Sequence, residues 1–223
     1  MDTNIIIVVA FFIFILIMSL TMFVDWFGLL RFNKLKNTEG FSEYINNYKN
    51  KKKNTNDKVV VSFTTTPERV KNIQPMLNSL LDQSVRIDQI SMNIPEECNG
   101  QKYTVPSEYK NICNIFKAGK DYGSGTKYIP TLLRENECGT KIILLDDDHI
   151  YGYDLFEKLI QESEKNPDKC IYAGDKFSGS GGILIKPEFM HYTNNDQCDD
   201  KWLEDNIKAE KVHINYNKNR KYI

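Results

Sequence analysis

The chain has 223 residues, enough for one well-cored domain with an attachment and too few for two domains of ordinary size. Its 29 basic and 30 acidic residues nearly cancel, and at a sequence pI near 6.3 no global charge exists to draw a nucleic acid partner. Function must therefore come from local arrangements.

The first such arrangement is "NIIIVVAFFIFILIMSLTMFV", in which residues 5–24 carry no charge. As a helix this run is about 30 Å long, the thickness of a bilayer core, and it is apolar all round where a buried core helix keeps a polar stripe. It predicts a single-pass membrane anchor. A signal peptide fits less well, because the run exceeds an ordinary h-region, no basic segment precedes it and no A-x-A-like site closes it. Only Asp2 stands before the run, whereas Arg31, Lys34, Lys36, Lys49, Lys51, Lys52 and Lys53 follow it, which places the bulk of the chain in the cytosol; a lumenal orientation is the alternative. Five cysteines, odd in number and without a C-x-x-C pair, and the lack of an N-x-[ST] sequon agree with a reducing compartment.

Residues 31–57 turn polar and rich in Asn and Lys, and read as a solvated stalk between an anchor (residues 1–30) and a folded domain (residues 58–223). That boundary carries the expectation that residues 58–223 fold alone. From Val59 onward, short aliphatic runs alternate with helical stretches. "KVVVSFTT" is compact and β-branched, as a buried strand is. Ile73, Met76, Leu77, Leu80 and Leu81 share one helical face, with Asn72 as candidate cap and Pro75 in the first turn. "QISMNIP", "NIFKA" and "KIILL" read as strands, Asp154 begins a helix carrying Leu155, Phe156, Leu159 and Ile160, and "KVHINY" reads as the last strand. This order predicts an α/β sheet with helices packed on it.

Ligands of open α/β sheets sit at the carboxyl ends of the strands. Two polar clusters emerge there: Thr64, Thr65 and Thr66 after the first strand, and Asp146, Asp147 and Asp148 after "IILL". Alternation along a strand puts Asp146 and Asp148 on one side and Asp147 on the other. Two carboxylates so close call for a cation between them, and carboxylate and phosphate oxygens suit magnesium or manganese. A plain acidic turn is the competing reading. Asp199 and Asp200 precede an apparent helix with Trp202, Leu203 and Ile207 facing inward. They are either helix-start residues favoured by the dipole or a general base for an acceptor hydroxyl.

Taken together, "VVVSFTTTPERVKNIQPMLNSLLDQSVRIDQISMNIP", "DYGSGTKYIPTLL", "IILLDDDHIY", "GGILIKP" and "CDDKWL" resemble the nucleotide-sugar-dependent glycosyltransferases of the GT-A fold, over about residues 58–216. The resemblance implies a mixed, Rossmann-like sheet flanked by helices. It implies a divalent cation, a nucleotide-sugar donor and a glycan, protein or lipid acceptor. By residue, it implies Thr64, Thr65, Thr66 and Arg69 at the nucleotide, Lys127 near the base or diphosphate, Asp146 toward ribose and metal, and Asp148 as metal ligand. Asp200, or Asp199, is then the base, and Gly181 and Gly182 let backbone approach the sugars. His213 stands where some relatives place another metal ligand, although a lone strand histidine is more often structural. Two other classes remain open. One is a phosphohydrolase using Asp146 and Asp148 as nucleophile and acid, with Lys186 and the later acidic pair. The other is a noncatalytic membrane-tethered binding module. "GSGTKY" lacks the Lys-Ser/Thr ending of a P-loop.

Overall fold

A computed structural model describes residues 3–190, 200–214 and 220–222. Its helices are α1 (Thr3–Asn37), α2 (Ser42–Lys49), α3 (Gln74–Leu81), α4 (Ile129–Arg134), α5 (Leu155–Lys165) and α6 (Asp200–Asn206). Its strands are β1 (Val59–Phe63), β2 (Gln89–Pro95), β3 (Glu97–Cys98), β4 (Gln101–Lys102), β5 (Asn114–Ala118), β6 (Lys141–Leu144), β7 (His149–Ile150), β8 (Cys170–Ala173), β9 (Ile183–Ile185), β10 (Lys211–Ile214) and β11 (Arg220–Lys221).

Seven strands form one sheet in the order β10-β8-β9-β6-β1-β2-β5. Only β9 runs against the rest, pairing antiparallel with β6 and β8. This is the α/β class with a mixed sheet flanked by helices. All five residues of β1 are fully buried, as a strand covered on both faces requires, which is why it reads as an unbroken aliphatic run. Alternation splits β6: Ile142 and Leu144 join Tyr128 and Leu132 of the α4 region and Leu203 of α6 in one cluster. Helix α5 packs on β8 and β9 with Leu155, Phe156, Leu159 and Ile160 buried. From β1 the chain steps outward through β2 to β5, then returns to the other side of β1 as β6. A crevice must open where neighbouring connections diverge, at the carboxyl ends of β1 and β6.

Helix α1 lies in a separate unit, Met1–Thr38. It continues well past the apolar run, so its 35 residues span about 50 Å, and it is long and apolar enough to cross a membrane.

The expected stalk differs from what the structure has. Residues 39–57 belong to the compact unit rather than to a solvated spacer. Phe41 and Tyr44 are buried, and Phe41 meets Tyr109 edge-on at 5.8 Å between ring centroids. Helix α2 packs on α3, the Tyr48 hydroxyl accepts the Ile87 amide at 3.0 Å, and Lys51 Nζ donates to the Leu81 carbonyl at 3.2 Å. The spacing of Phe41, Tyr44 and Tyr48 is helical, but Asn and Lys residues around it mask the signal. Burying an aromatic is worth about 1.5–3 kcal/mol. A fragment of residues 39–223 is therefore expected to unfold cooperatively, while one of residues 58–223 loses on the order of 3–5 kcal/mol. Thermal unfolding of the two checks this; equal midpoints would contradict it.

Two smaller differences concern helix ends. Ile73, not Asn72, occupies the cap position of α3, because Val70–Asn72 already forms a 3-10 turn. Asp154 caps α5 without a side-chain bond to the backbone, its carboxylate instead meeting Lys158 at 2.7 Å.

Candidate active site

A cavity of about 490 Å³ lies at the crevice between the carboxyl ends of β1 and β6. Thr64, Thr65, Thr66 and Arg69 reach it from the segment after β1, Lys127 from the 3-10 turn Gly123–Lys127, Asp146 and Asp148 from the segment after β6, and Asp200 from α6. Residues far apart in the chain thus share one chamber, and the sheet order is what joins them.

Asp147 lines the same cavity, which strand alternation does not anticipate. The reason is that β6 ends at Leu144, so the aspartates occupy a turn between β6 and β7. Each has a cationic partner, and Arg69 serves two of them, its Nη1 also lying 3.6 Å from Asp148 Oδ2. Lys127 Nζ is 2.9 Å from Asp146 Oδ1. Arg69 Nη2 is 2.6 Å from Asp147 Oδ1, and the Thr65 hydroxyl donates to Asp147 Oδ2 at 2.6 Å. His149 Nδ1 donates to Asp148 Oδ1 at 2.6 Å, and Lys221 Nζ is 3.2 Å from Asp148 Oδ2. Three carboxylates coexist because the protein supplies positive charge to each.

The electrostatics differ along the turn. Burial raises the Asp147 pKa, and neither Thr65 nor Arg69 fully offsets it. At Asp148 the hydrogen bond from His149 wins over burial, with Lys221 assisting, and holds the carboxyl at about 2. A folded-state pKa below the unfolded value means stability that is fully present above pH about 4 and lost as pH falls through about 2. The size is on the order of 2 kcal/mol. In urea unfolding across that window, Asp148→Asn is expected to flatten the loss of stability; an unchanged slope would contradict the pairing.

Lys127 joins two carboxylates, its Nζ lying 2.5 Å from Asp200 Oδ1 as well as beside Asp146. Its side chain is 2 % exposed. Burial works to lower its pKa, but Asp146 and Asp200 together outweigh burial and raise it, so the ammonium is retained. Its backbone is fixed from below. The Ser62 hydroxyl donates to the Lys127 carbonyl, Asn93 Nδ2 donates to Ser62 Oγ at 2.8 Å and to Thr131 Oγ1 at 2.9 Å, and Arg134 Nη2 donates to Asn93 Oδ1 at 3.0 Å. Asp200 is brought in by α6, where Trp202 stacks on Tyr128 at 6.0 Å and Leu203 is buried.

Three expected residues lie elsewhere. Gly181 and Gly182 do not line the cavity. A Cβ on Gly181 would fall 1.6 Å from the Ala173 carbonyl oxygen, and Gly182 has a φ of +99°, so packing and backbone conformation account for both. His213 is not in the cavity wall either: its Nε2 donates to the Gly174 carbonyl at 2.6 Å beside the Tyr172 ring. Asp199 falls outside the described residues. Lys186 of the phosphohydrolase alternative donates to the Pro167 carbonyl and does not line the cavity.

Other residues join the site without being singled out in the sequence. Gly179 is one, since a Cβ there would lie 2.3 Å from Asp146 Oδ1 and 3.0 Å from Lys127 Nζ. Fully buried Tyr151 is another: its hydroxyl accepts the Asp146 amide at 2.8 Å and lies within donating distance of the Asp146 and Gly179 carbonyls. The "SGSGG" run and the tyrosine after the aspartates were the only hints of them.

No protein-family model and no curated protein matches the sequence. Among solved structures, the chain is similar to S. aureus TarS at 16 % identity and a TM-score of 0.41, over 53 % of this chain and 22 % of TarS. It is similar to HddC from Yersinia pseudotuberculosis at 12 % identity and a TM-score of 0.48, over 71 % of this chain and 90 % of HddC. A third is the mannosyltransferase PcManGT from Pyrobaculum calidifontis, solved in complex with GDP-Man and Mn2+, at 12 % identity and a TM-score of 0.46, over 77 % of this chain and 55 % of that one.

Proposed function

We propose that the chain is a membrane-anchored, metal-dependent glycosyltransferase that moves a sugar from a nucleotide-sugar donor to an acceptor hydroxyl. The observation that carries this reading is the meeting of Thr64, Thr65, Thr66, Arg69, Lys127, Asp146, Asp148 and Asp200 in one cavity at the sheet's switch point. A site with carboxylates, a buried lysine and an arginine suits a ligand that combines phosphate, ribose and sugar hydroxyls.

Among the described residues no group of three or more His, Cys, Asp and Glu side chains forms a ready-made metal cage. Asp146 and Asp148 nevertheless fit manganese or magnesium as a donor set, because such ions are held by one or two carboxylates together with substrate phosphates. When bound, the ion would neutralise charge on the departing nucleoside diphosphate. The chain's own residues do the rest. Arg69 and the threonines face the nucleotide, while Lys127 keeps Asp146 in place and supplies a fixed positive charge. Lys127 holds Asp200 Oδ1, which leaves Oδ2 to take the proton of the acceptor hydroxyl. Helix α1 tethers the enzyme, and the basic residues after the apolar run favour a cytosolic catalytic unit.

The test is release of nucleoside diphosphate by the full chain in detergent, with manganese, across a panel of nucleotide sugars. One donor is expected to be turned over well above the others. Folded protein that turns over none, yet hydrolyses phosphomonoesters, would replace this reading with the phosphohydrolase.

A further inference from the structure

We infer that β11 and the adjacent Tyr222 are a positioning element for the aspartate turn, and that Lys221 lends that turn a mobile positive charge for an anionic ligand. The second half rests on the donor-site reading above and names the ligand as a nucleoside diphosphate.

The backbone states the need. Residues 145–148 leave the sheet after β6, so their carbonyls have no ladder partners although the side chains are largely buried. Tyr151 serves the first aspartate. The next two are served by Tyr222, whose hydroxyl donates to the Asp147 carbonyl at 3.0 Å and whose amide donates to the Asp148 carbonyl at 3.1 Å. Strand β11 fixes this register by pairing antiparallel with β7, Lys221 opposite His149 and Arg220 opposite Ile150.

The same register brings Lys221 Nζ to 3.2 Å from Asp148 Oδ2, which Arg69 Nη1 also approaches at 3.6 Å, while His149 Nδ1 donates to Oδ1. Lys221 differs from Lys127 in exposure. Its side chain is 62 % exposed against 2 %; it does not line the cavity itself but reaches Asp148, which does, and its ammonium can turn toward a second anion without leaving a buried void. An ammonium has three N–H donors, and Asp148 uses part of that capacity. A diphosphate approaching the turn meets three carboxylates, and Lys221 adds an exposed positive charge to those that Arg69 and Lys127 already set against them.

Two readouts on the full chain in detergent separate the parts. Hydrogen exchange of amides 145–151 is expected to rise about tenfold or more in Tyr222→Phe, with the thermal midpoint nearly unchanged. UDP and GDP, each with manganese, serve as binding probes. The better of them is expected to bind about tenfold more weakly to Lys221→Ala, with a shallower salt dependence, and normally to Lys221→Arg. Unchanged exchange in Tyr222→Phe would overturn the positioning role. Undiminished affinity in Lys221→Ala would overturn the ligand role. If neither probe binds the folded wild-type protein, the donor reading and the ligand role fail together, while faster exchange in Tyr222→Phe would still uphold the positioning role.

Discussion

Asp200→Asn is expected to lower turnover by on the order of a hundredfold or more, while donor and metal affinity change little. The reason lies in the two oxygens of Asp200. Oδ1 is engaged by Lys127 at 2.5 Å, and an asparagine carbonyl can keep that contact. In the proposed mechanism Oδ2 takes the proton, and the amide nitrogen that replaces it has no lone pair to offer at neutral pH. Binding survives and proton removal does not. Steady-state kinetics with the preferred donor would show kcat falling alone; full turnover in this variant and in Asp199→Asn would move the base elsewhere.

Lys127→Met is expected to do comparable damage by another route. It removes the ammonium between Asp146 and Asp200 while keeping the length of the side chain, and leaves two carboxylates facing one another beside Gly179. Stripping one partner from a buried ion pair costs about 3–5 kcal/mol. These carboxylates are 28 % and 25 % exposed, so solvent should reduce this to about 2–3 kcal/mol. Turnover is expected to fall at least as far as in Asp200→Asn, but with weaker donor binding as well. Because both residues act through one contact, the double variant should be scarcely worse than Lys127→Met alone. Additive losses would show that Lys127 and Asp200 act independently.

The central strands were legible because burial on both faces demands unbroken aliphatic runs: "KVVVSF" and "KIILL" announced β1 and β6, and with them the strand ends that frame the cavity. Strands β8 and β9, of four and three residues, are too short for periodicity to mark and owe their existence to β6 and β10 beside them. The aspartates were visible as a triplet, but their geometry was not, since alternation stops where the strand stops. Gly179 shows a deeper limit. Its neighbours Gly181 and Gly182 drew attention as a pair, yet closeness to Asp146 and Lys127 depends on how the segment after β8 folds back, which no local pattern encodes. Lys221 was one lysine among many until β11 paired with β7.

Metal dependence of sugar transfer tests the central claim most directly. Nucleoside diphosphate release should be followed with the full chain after exhaustive chelation and again after adding back manganese. Release is expected to drop to background on chelation and to return with the metal, and Asp148→Asn should need far more metal to recover. Undiminished release from protein shown to hold no metal would contradict the assignment of Asp146 and Asp148 as metal ligands.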